Sequence, residues 1–300
     1  MSSPASEPKP EHLPVLPGMS ALAADFDGYI VDLWGVLHDG VRAFPEALDC
    51  LARLSALEKR ILILSNAPRR ASEVAARCAE LGLSAASYDL LMSSGEDAWR
   101  HLAERPDPWY RALGRRCYHL GPERDHGMRD GLDYRFVDDL AEADFILNTG
   151  ALHASDSRET YRAFLDAALA HGLPMVCANP DYVVIRGGKA EICAGTIAHA
   201  YEEMGGRVRY HGKPYPGIYE TCLGLFEGIA PARILAVGDS IRTDVVGAEA
   251  MGLKAVFVAS GIHGGSLVAA ETGELDGDRL AELCRAEGGS PLAAIPEFRW

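Results

Sequence analysis

"GYIVDLWGVLHDG", residues 28–40, decides the fold. A short apolar run, Gly28 to Val31, leads into Asp32 and is then broken by Gly35. Such a run bounded by turn residues reads as a buried strand. An aspartate at its carboxyl end, with a glycine that lets the backbone turn, reads as a strand-end site. Just upstream, Asp25-Phe26-Asp27-Gly28 offers a rival pair of aspartates. The "ALAA" before it is a weaker strand, and the pair ends in turn residues. Asp25 and Asp27 therefore read as turn and capping residues, and Asp32 as the candidate nucleophile.

Working outward, the same grammar repeats. Residues 46–58 place Ala47, Leu48, Leu51, Leu54 and Leu57 on one helical face. "RILILSN" (60–66) is a second buried strand ending in Ser65-Asn66. A helix follows, with Val74, Ala75, Cys78 and Leu81 inward and Gly82 as its stop. "YDLLMSS" (88–94) is a third strand. Far downstream, "RILAVGDS" (233–240) and "KAVFVASG" (254–261) bracket a helix closed by Gly252. Alternating strands and helices of this kind predict an α/β fold with a Rossmann-like parallel-sheet core. Ligands then sit at the carboxyl ends of the strands, where Asp32, Ser65, Asn66 and Asp239 fall.

The middle of the chain repeats the α/β style. "RRCYHLG", "ADFILNTG" and "PMVCANPD" read as strands, and "SRETYRAFLDAALAHG" as an amphipathic helix. This predicts a second, smaller α/β cap domain. The expected boundaries are a flexible arm over 1–19, a core over 20–90 and 206–300, and a cap over 91–205. The carboxyl-end rule applied to the cap adds Asn148 to Gly150 and Asn179 to Asp181 as candidate ligand contacts.

Composition narrows the function. The 300 residues are 48% hydrophobic and 24% charged, enough for a large core. A net charge of −14 argues against a nucleic-acid or anionic-membrane partner. No apolar run approaches the ~20 residues of a membrane span. The Pro- and Ser-rich start has no apolar h-region, so it is not read as a signal peptide. Seven dispersed cysteines without a Cys-x-x-Cys pair read as reduced core thiols of a cytoplasmic protein, not a zinc site. There is no P-loop, no Gly-x-Gly-x-x-Gly after the first strand and no Gly-x-Ser-x-Gly elbow.

Two further stretches carry chemistry. "VGDSIRTD" (237–244) puts Asp239 at a strand end and Asp244 in the first turn of a helix. Such paired carboxylates suit a hard cation; the competing reading is helix capping by Thr243 and Asp244. "YHGKPYPGIYE" (210–220) carries Lys213 ahead of a helix that Pro216 can start. A lysine there is either a point charge for phosphate or a solvated surface charge.

In order, strand-Asp-x-x-Gly-Val-Leu, strand-Ser-Asn, Gly-Lys-Pro and Gly-Asp-x-x-x-Thr-Asp resemble the four motifs of the haloacid dehalogenase-like (HAD) hydrolases, from about residue 26 to 261. The insert, with "CANPDYVV" and "EICAGTIAHAYEEMGG", resembles the class IIA cap of nitrophenyl-, nucleotide- and sugar-phosphate phosphatases. The resemblance implies that Asp32 forms an aspartyl-phosphate. It implies Mg²⁺ held by Asp32, the Trp34 backbone carbonyl and Asp239, with Asp244 orienting that shell. It implies that Ser65, the Asn66 backbone amide and Lys213 hold the phosphoryl oxygens of a small phosphorylated metabolite. Cap-to-cap homodimers occur in look-alike proteins; the sequence leaves the oligomeric state open.

The chain departs from that pattern at one place. Two residues after the nucleophile the family has a second aspartate, the general acid and base; here it is Trp34. Indole N–H is a donor without a usable pKa, and losing a placed acid typically costs about 10²–10⁴-fold. Three readings stay open: a phosphatase with a good leaving group or an acid borrowed from His38, Asp39, Asp181 or His263; a stalled protein that binds or senses a phospho-ligand; or a site where Trp34 stacks on an aromatic substrate in a different reaction.

Overall fold

The computed structural model describes residues 13–186, 189–267 and 274–300. In chain order, strands β1 (Gly28–Asp32), β2 (Arg60–Ser65) and β3 (Leu90–Ser93) alternate with helices α1 (Pro45–Ala56) and α2 (Ala71–Glu80). Helices α3 (Ser94–Glu104) and α4 (Pro108–Ala112) lead to β4 (Arg116–Leu120), β5 (Arg135–Val137) and β6 (Phe145–Asn148). Then come α5 (Arg162–Ala170), β7 (Met175–Cys177), the hairpin β8 (Val183–Arg186) and β9 (Lys189–Ile192), α6 (Ala194–Glu203) and β10 (Val208–Tyr210). The chain closes with α7 (Pro216–Gly224), β11 (Ile234–Gly238), α8 (Val246–Ala250), β12 (Lys254–Val258), α9 (Gly264–Leu267), α10 (Gly277–Glu287) and β13 (Ala293–Ile295).

Two parallel sheets organise these elements. The first runs β13-β12-β11-β1-β2-β3, the second β10-β7-β6-β4-β5. All five residues of β1 are buried, as are all five of β11. A strand covered on both faces needs a continuous apolar run rather than alternation, which is why "GYIV" and "ILAV" contain no polar residue. Apolar clusters flank both faces of the first sheet, built on Tyr29, Val31 and Leu54 on one side and Leu62, Phe226 and Phe257 on the other. Two more flank the second. No helix of the described residues is long and apolar enough to cross a membrane.

Three features differ from the sequence reading. Strand β10 pairs with β7, so the chain leaves the second sheet after Tyr210 rather than at the boundary of 205. Alternation in "VVIRGGKAEI" is short and its turn lies outside the described residues; the antiparallel β8–β9 pairing was not legible beforehand. Residues 1–12 of the expected arm lie outside the described residues, but 13–19 are tied to the core. Leu16 N donates to Ala294 O (2.8 Å), Met19 N donates to Arg299 O (2.7 Å), and the Met19 side chain is buried. The tail after Gly261 has no interpretable motif, but its Phe298 and Trp300 are expected to pack onto the core, and they do: Phe298 is buried there with Trp300 against the same cluster, while the tail also supplies the edge strand β13.

Candidate active site

Strand β1 lies between β2 and β11. Their carboxyl ends therefore deliver Asp32, Ser65 and, one residue past β11, Asp239 to one edge of the sheet. The turn after Asp239 is a π-type turn over Ile241–Val245 that runs into α8, with Ser240 capping Thr243 N. Asp244 accepts from Ser240 N (3.1 Å), so it does the capping work that competed with the cation reading. It also faces inward and is buried, as are Asp32 and Asp239.

Lys213 arrives from the other direction, three residues beyond β10. Its Nζ donates to Asp244 Oδ1 (2.6 Å), Leu64 O (3.2 Å) and Asp32 Oδ1. It is 3% exposed, so the solvated-charge reading does not hold. Asp239 takes a backbone donor instead: Ile262 N lies 2.8 Å from its Oδ2. One oxygen from each of Asp32, Asp239 and Asp244 falls within 4.8 Å of the others. This packing is possible because carbon atoms are missing around it. A Cβ on Gly35 or Gly261 would sit 2.1 or 2.0 Å from Asp239 Oδ2, and one on Gly238 would sit 2.0 Å from Asp244 Cγ. Gly35 also has φ +79°, which its turn requires.

The charges do not balance. Burial pushes the Asp32 carboxyl up, Asp244 adds to that, and Lys213 opposes it. Burial likewise holds the Asp239 carboxyl well above its ordinary range, with Asp32 and Asp244 adding to it. Burial alone would lower Lys213, but Asp244 and Asp32 more than offset this and hold it well above the usual lysine value. Three carboxylates against one ammonium leave the cluster two positive charges short. An all-oxygen donor set with that deficit fits a hard divalent cation.

The remaining expected residues are brought to the same place, in roles only partly foreseen. Ser65 is buried and its Oγ accepts from Ala67 N (3.2 Å). The Asn66 side chain clamps the lysine loop: Oδ1 accepts from Lys213 N (2.8 Å), and Nδ2 lies 2.9 Å from both Lys213 O and Asp181 Oδ1. Asn179 Oδ1 accepts from Asp181 N (2.9 Å), so its side chain shapes its own turn. Asp181 is half-buried, raised by burial, and lies 3.9 Å from Arg242, whose guanidinium also covers the Tyr182 ring at 4.4 Å. The part played by Arg242 and the Gly261-Ile262 turn had no motif to announce it.

Trp34 stands edge-on to His38, ring centroids 5.2 Å apart at 81°. Its ring lies over Gly40, where a Cβ would meet it at 2.5 Å. Among the candidate acids, Asp39 is an exposed turn residue accepting from Val41 N (2.8 Å) and Arg42 N (2.9 Å), which lower its pKa. His263 faces Glu287 at 3.9 Å. His38 is buried, and burial lowers its pKa; Nδ1 accepts from Gly40 N (3.0 Å), so the neutral ring carries its proton on Nε2. A cavity of about 1030 Å³ opens over all of these residues. It is roofed by loop residues beyond the ends of β6 and β7, such as Thr149, Gly150 and Asp181, and by the β8–β9 hairpin.

An aspartate on a sheet edge, backed by a lysine and a carboxylate cage under an α/β roof, is the layout of an enzyme that hydrolyses phosphoric monoesters. The chain belongs to the haloacid dehalogenase-like hydrolases. The profile of that family matches residues 29–135, and a second, HAD-hydrolase-like profile matches residues 210–283. Human chronophin is 31% identical over 244 residues, spanning 78% of this chain and 81% of that protein. A haloacid dehalogenase-like hydrolase from Brucella suis 1330 superposes with a TM-score of 0.80 at 32% identity, over 94% of this chain and 99% of the other. Glycerol phosphate phosphatase from Mycobacterium tuberculosis, solved in complex with magnesium, superposes with a TM-score of 0.63 at 26% identity, over 84% and 73% of the two chains.

Proposed function

We propose that the protein is a Mg²⁺-dependent phosphatase of a small phosphorylated metabolite, working through an aspartyl-phosphate on Asp32. The observation that carries this reading is the buried cluster of Asp32, Asp239, Asp244 and Lys213 at adjacent strand ends. Asp32, Asp239, Asp244 and the Trp34 carbonyl would hold the cation, which supplies charge neutralisation for an incoming phosphoryl group. Lys213 already engages Asp32 Oδ1, leaving Oδ2 to attack phosphorus. The ester P–O bond breaks as the Asp32–phosphorus bond forms. Lys213, Ser65 and the Asn66 amide offset charge on the equatorial oxygens. Water then attacks phosphorus, releasing inorganic phosphate and free Asp32.

The leaving oxygen departs without a proton from position 34, because indole is no acid. Turnover therefore favours leaving groups stable as anions. The cavity supports an organic part larger than a few carbons, and its mouth supports an apolar one. Val41, Tyr182, Val183, Ile185 and Ile262, all exposed apolar side chains, line it. The sheet of residues β4–β7 and β10 serves as the cap in this reading. Seven cysteines, six of them buried and none in a disulfide, fit a reducing compartment such as the cytoplasm.

The test is a phosphatase screen of the pure protein with Mg²⁺. It sets p-nitrophenyl phosphate and acetyl phosphate beside sugar and nucleoside monophosphates. Turnover of the activated esters alone fits the missing acid. Turnover of sugar or nucleotide phosphates assigns the proton to another residue, and His38 is the first to mutate. No turnover of any ester refutes the proposal.

A further inference from the structure

Immediately before Lys213 lies a set of buried polar side chains that the reaction does not use. His211, Asp97 and Tyr110 are 4%, 2% and 1% exposed. Asp97 stands in the first turns of α3, Tyr110 on α4, and His211 one residue past β10. His211 Nδ1 lies 2.6 Å from Asp97 Oδ2, and its Nε2 meets the Tyr110 hydroxyl. The other Asp97 oxygen, Oδ1, lies 3.2 Å from Thr221 Oγ1 on α7, whose single hydroxyl hydrogen is shared with Gly217 O at 3.0 Å. His101, one turn further along α3, turns Nδ1 to the Asp97 carbonyl (2.8 Å) and packs its ring 4.8 Å from that of His211.

The partners fix the protons. An Asp97 carboxylate only accepts, so His211 Nδ1–H donates to it, and Nε2 accepts from the Tyr110 hydroxyl. Both ring nitrogens of His211, Asp97 Oδ2 and the Tyr110 hydroxyl are then satisfied, and a satisfied buried network holds one arrangement. Its placement gives that rigidity a use. One residue separates His211 from Lys213: Gly212, at φ +111°. A Cβ on Gly212 would lie 2.4 Å from Ser94 Oγ and 2.6 Å from Asn66 Oδ1, so the backbone there has no slack. Asp97 thus grips the chain just before Lys213 through His211.

We propose that Asp97, His211 and Tyr110 are positioning residues that set Lys213 in the site from the seam between the two sheets. The proposal rests on the reading of Lys213 as the cation that holds phosphate. The β10 strand belongs to the second sheet while Lys213 Nζ serves the first. Asn66 clamps the Lys213 peptide itself, and the hydrogen-bond chain fixes the register of the residues that lead up to it.

The experiment measures the affinity of inorganic phosphate by calorimetry with Mg²⁺, together with kcat/KM for p-nitrophenyl phosphate. The proteins are wild type, His211→Gln, His211→Asn, Lys213→Ala and the double variant His211→Gln with Lys213→Ala. Glutamine reaches the Nε2 position and abandons Asp97; asparagine keeps a donor near Nδ1. The expected result for His211→Gln is a loss of roughly 10- to 100-fold in both readouts, the scale of a small misplacement of a reacting group. His211→Asn recovers most of it. In the Lys213→Ala background, His211→Gln adds no further loss of phosphate affinity. Additive losses, equal losses for asparagine and glutamine, or an unaffected His211→Gln each overturn the proposal, since a merely structural histidine acts independently of Lys213. A wild type that neither binds phosphate nor turns over the ester brings down the reading of the site itself, and an active wild type with an unaffected His211→Gln brings down the positioning alone.

Discussion

Replacing Asp239 by asparagine is expected to stabilise the metal-free protein and to lose that advantage once magnesium is added. The carboxylate oxygens of Asp32, Asp239 and Asp244 lie within 4.8 Å of one another. At an effective dielectric of about 20, two charges no further apart than that repel by at least about 3.5 kcal/mol. Asp239 faces two such neighbours, and Lys213, paired with both, offsets about one of them. Removing a carboxyl that must either bear this repulsion or bind a proton to escape it therefore relieves about 3 kcal/mol, or about 5–10 °C in a chain of this size. Asparagine has the same shape, fits between Gly35 and Gly261, and can still accept from Ile262 N. Thermal unfolding at pH 8 in EDTA reads the gain. Titrating Mg²⁺ then raises the wild type by about 2.7 kcal/mol at a hundred times Kd, while the variant moves little. A variant that melts below wild type in EDTA refutes the charge argument. Equal magnesium shifts in both proteins refute the cage as the metal site.

Trp34→Asp should raise turnover of sugar phosphates by about 10²–10⁴-fold, the usual worth of a placed acid, with a much smaller gain on p-nitrophenyl phosphate; a flat response in both means the pocket itself is wrong for hydrolysis. Asp32→Asn should abolish turnover while Asp27→Asn leaves it intact, and an active Asp32→Asn variant would sink the nucleophile assignment. Arg233 first, and then Lys59, hold the Asp27 carboxyl down at about 2, from an ordinary 3.8. Its stabilising contribution is complete above the ordinary value and is lost as pH falls through about 2, so an acid-unfolding curve of Asp27→Asn should lack that part of the slope. Ile185→Ser together with Val183→Ser should raise KM for aryl phosphates with kcat little changed; unchanged KM would detach the apolar mouth from substrate binding.

The strands and their catalytic ends were legible because a buried parallel strand needs an unbroken apolar run, and the polar residue that ends it stands out. Asp32, Ser65 and Asp239 were found that way. Lys213 was found only by its company, since a single lysine in a loop carries no signal of burial. The use of Asn66 as a clamp on the Lys213 backbone was not legible: the two residues are 147 positions apart and the contact depends on which way an amide turns. The β8–β9 hairpin was missed because four-residue strands with a glycine pair between them look like a loop. The docking of residues 13–19 on the C-terminal tail was hidden because Pro14 and Pro17 interrupt the apolar stretch "LPVLPGM" before any periodicity can show. The seam after Tyr210 escaped because β10 is three residues long, too short to announce which sheet it joins.

The three glycines around the cage carry a lesson for reading mutational scans. Gly35, Gly238 and Gly261 have no side chain to offer substrate or metal, yet a single methyl at any of them would collide with a carboxylate. In a survey of alanine replacements they would score with Asp32, the proposed nucleophile. What that survey would be detecting is vacancy: the enzyme's charge pattern is drawn partly by volumes that have to stay empty, and a ranking by lost activity would mistake the mould for the casting.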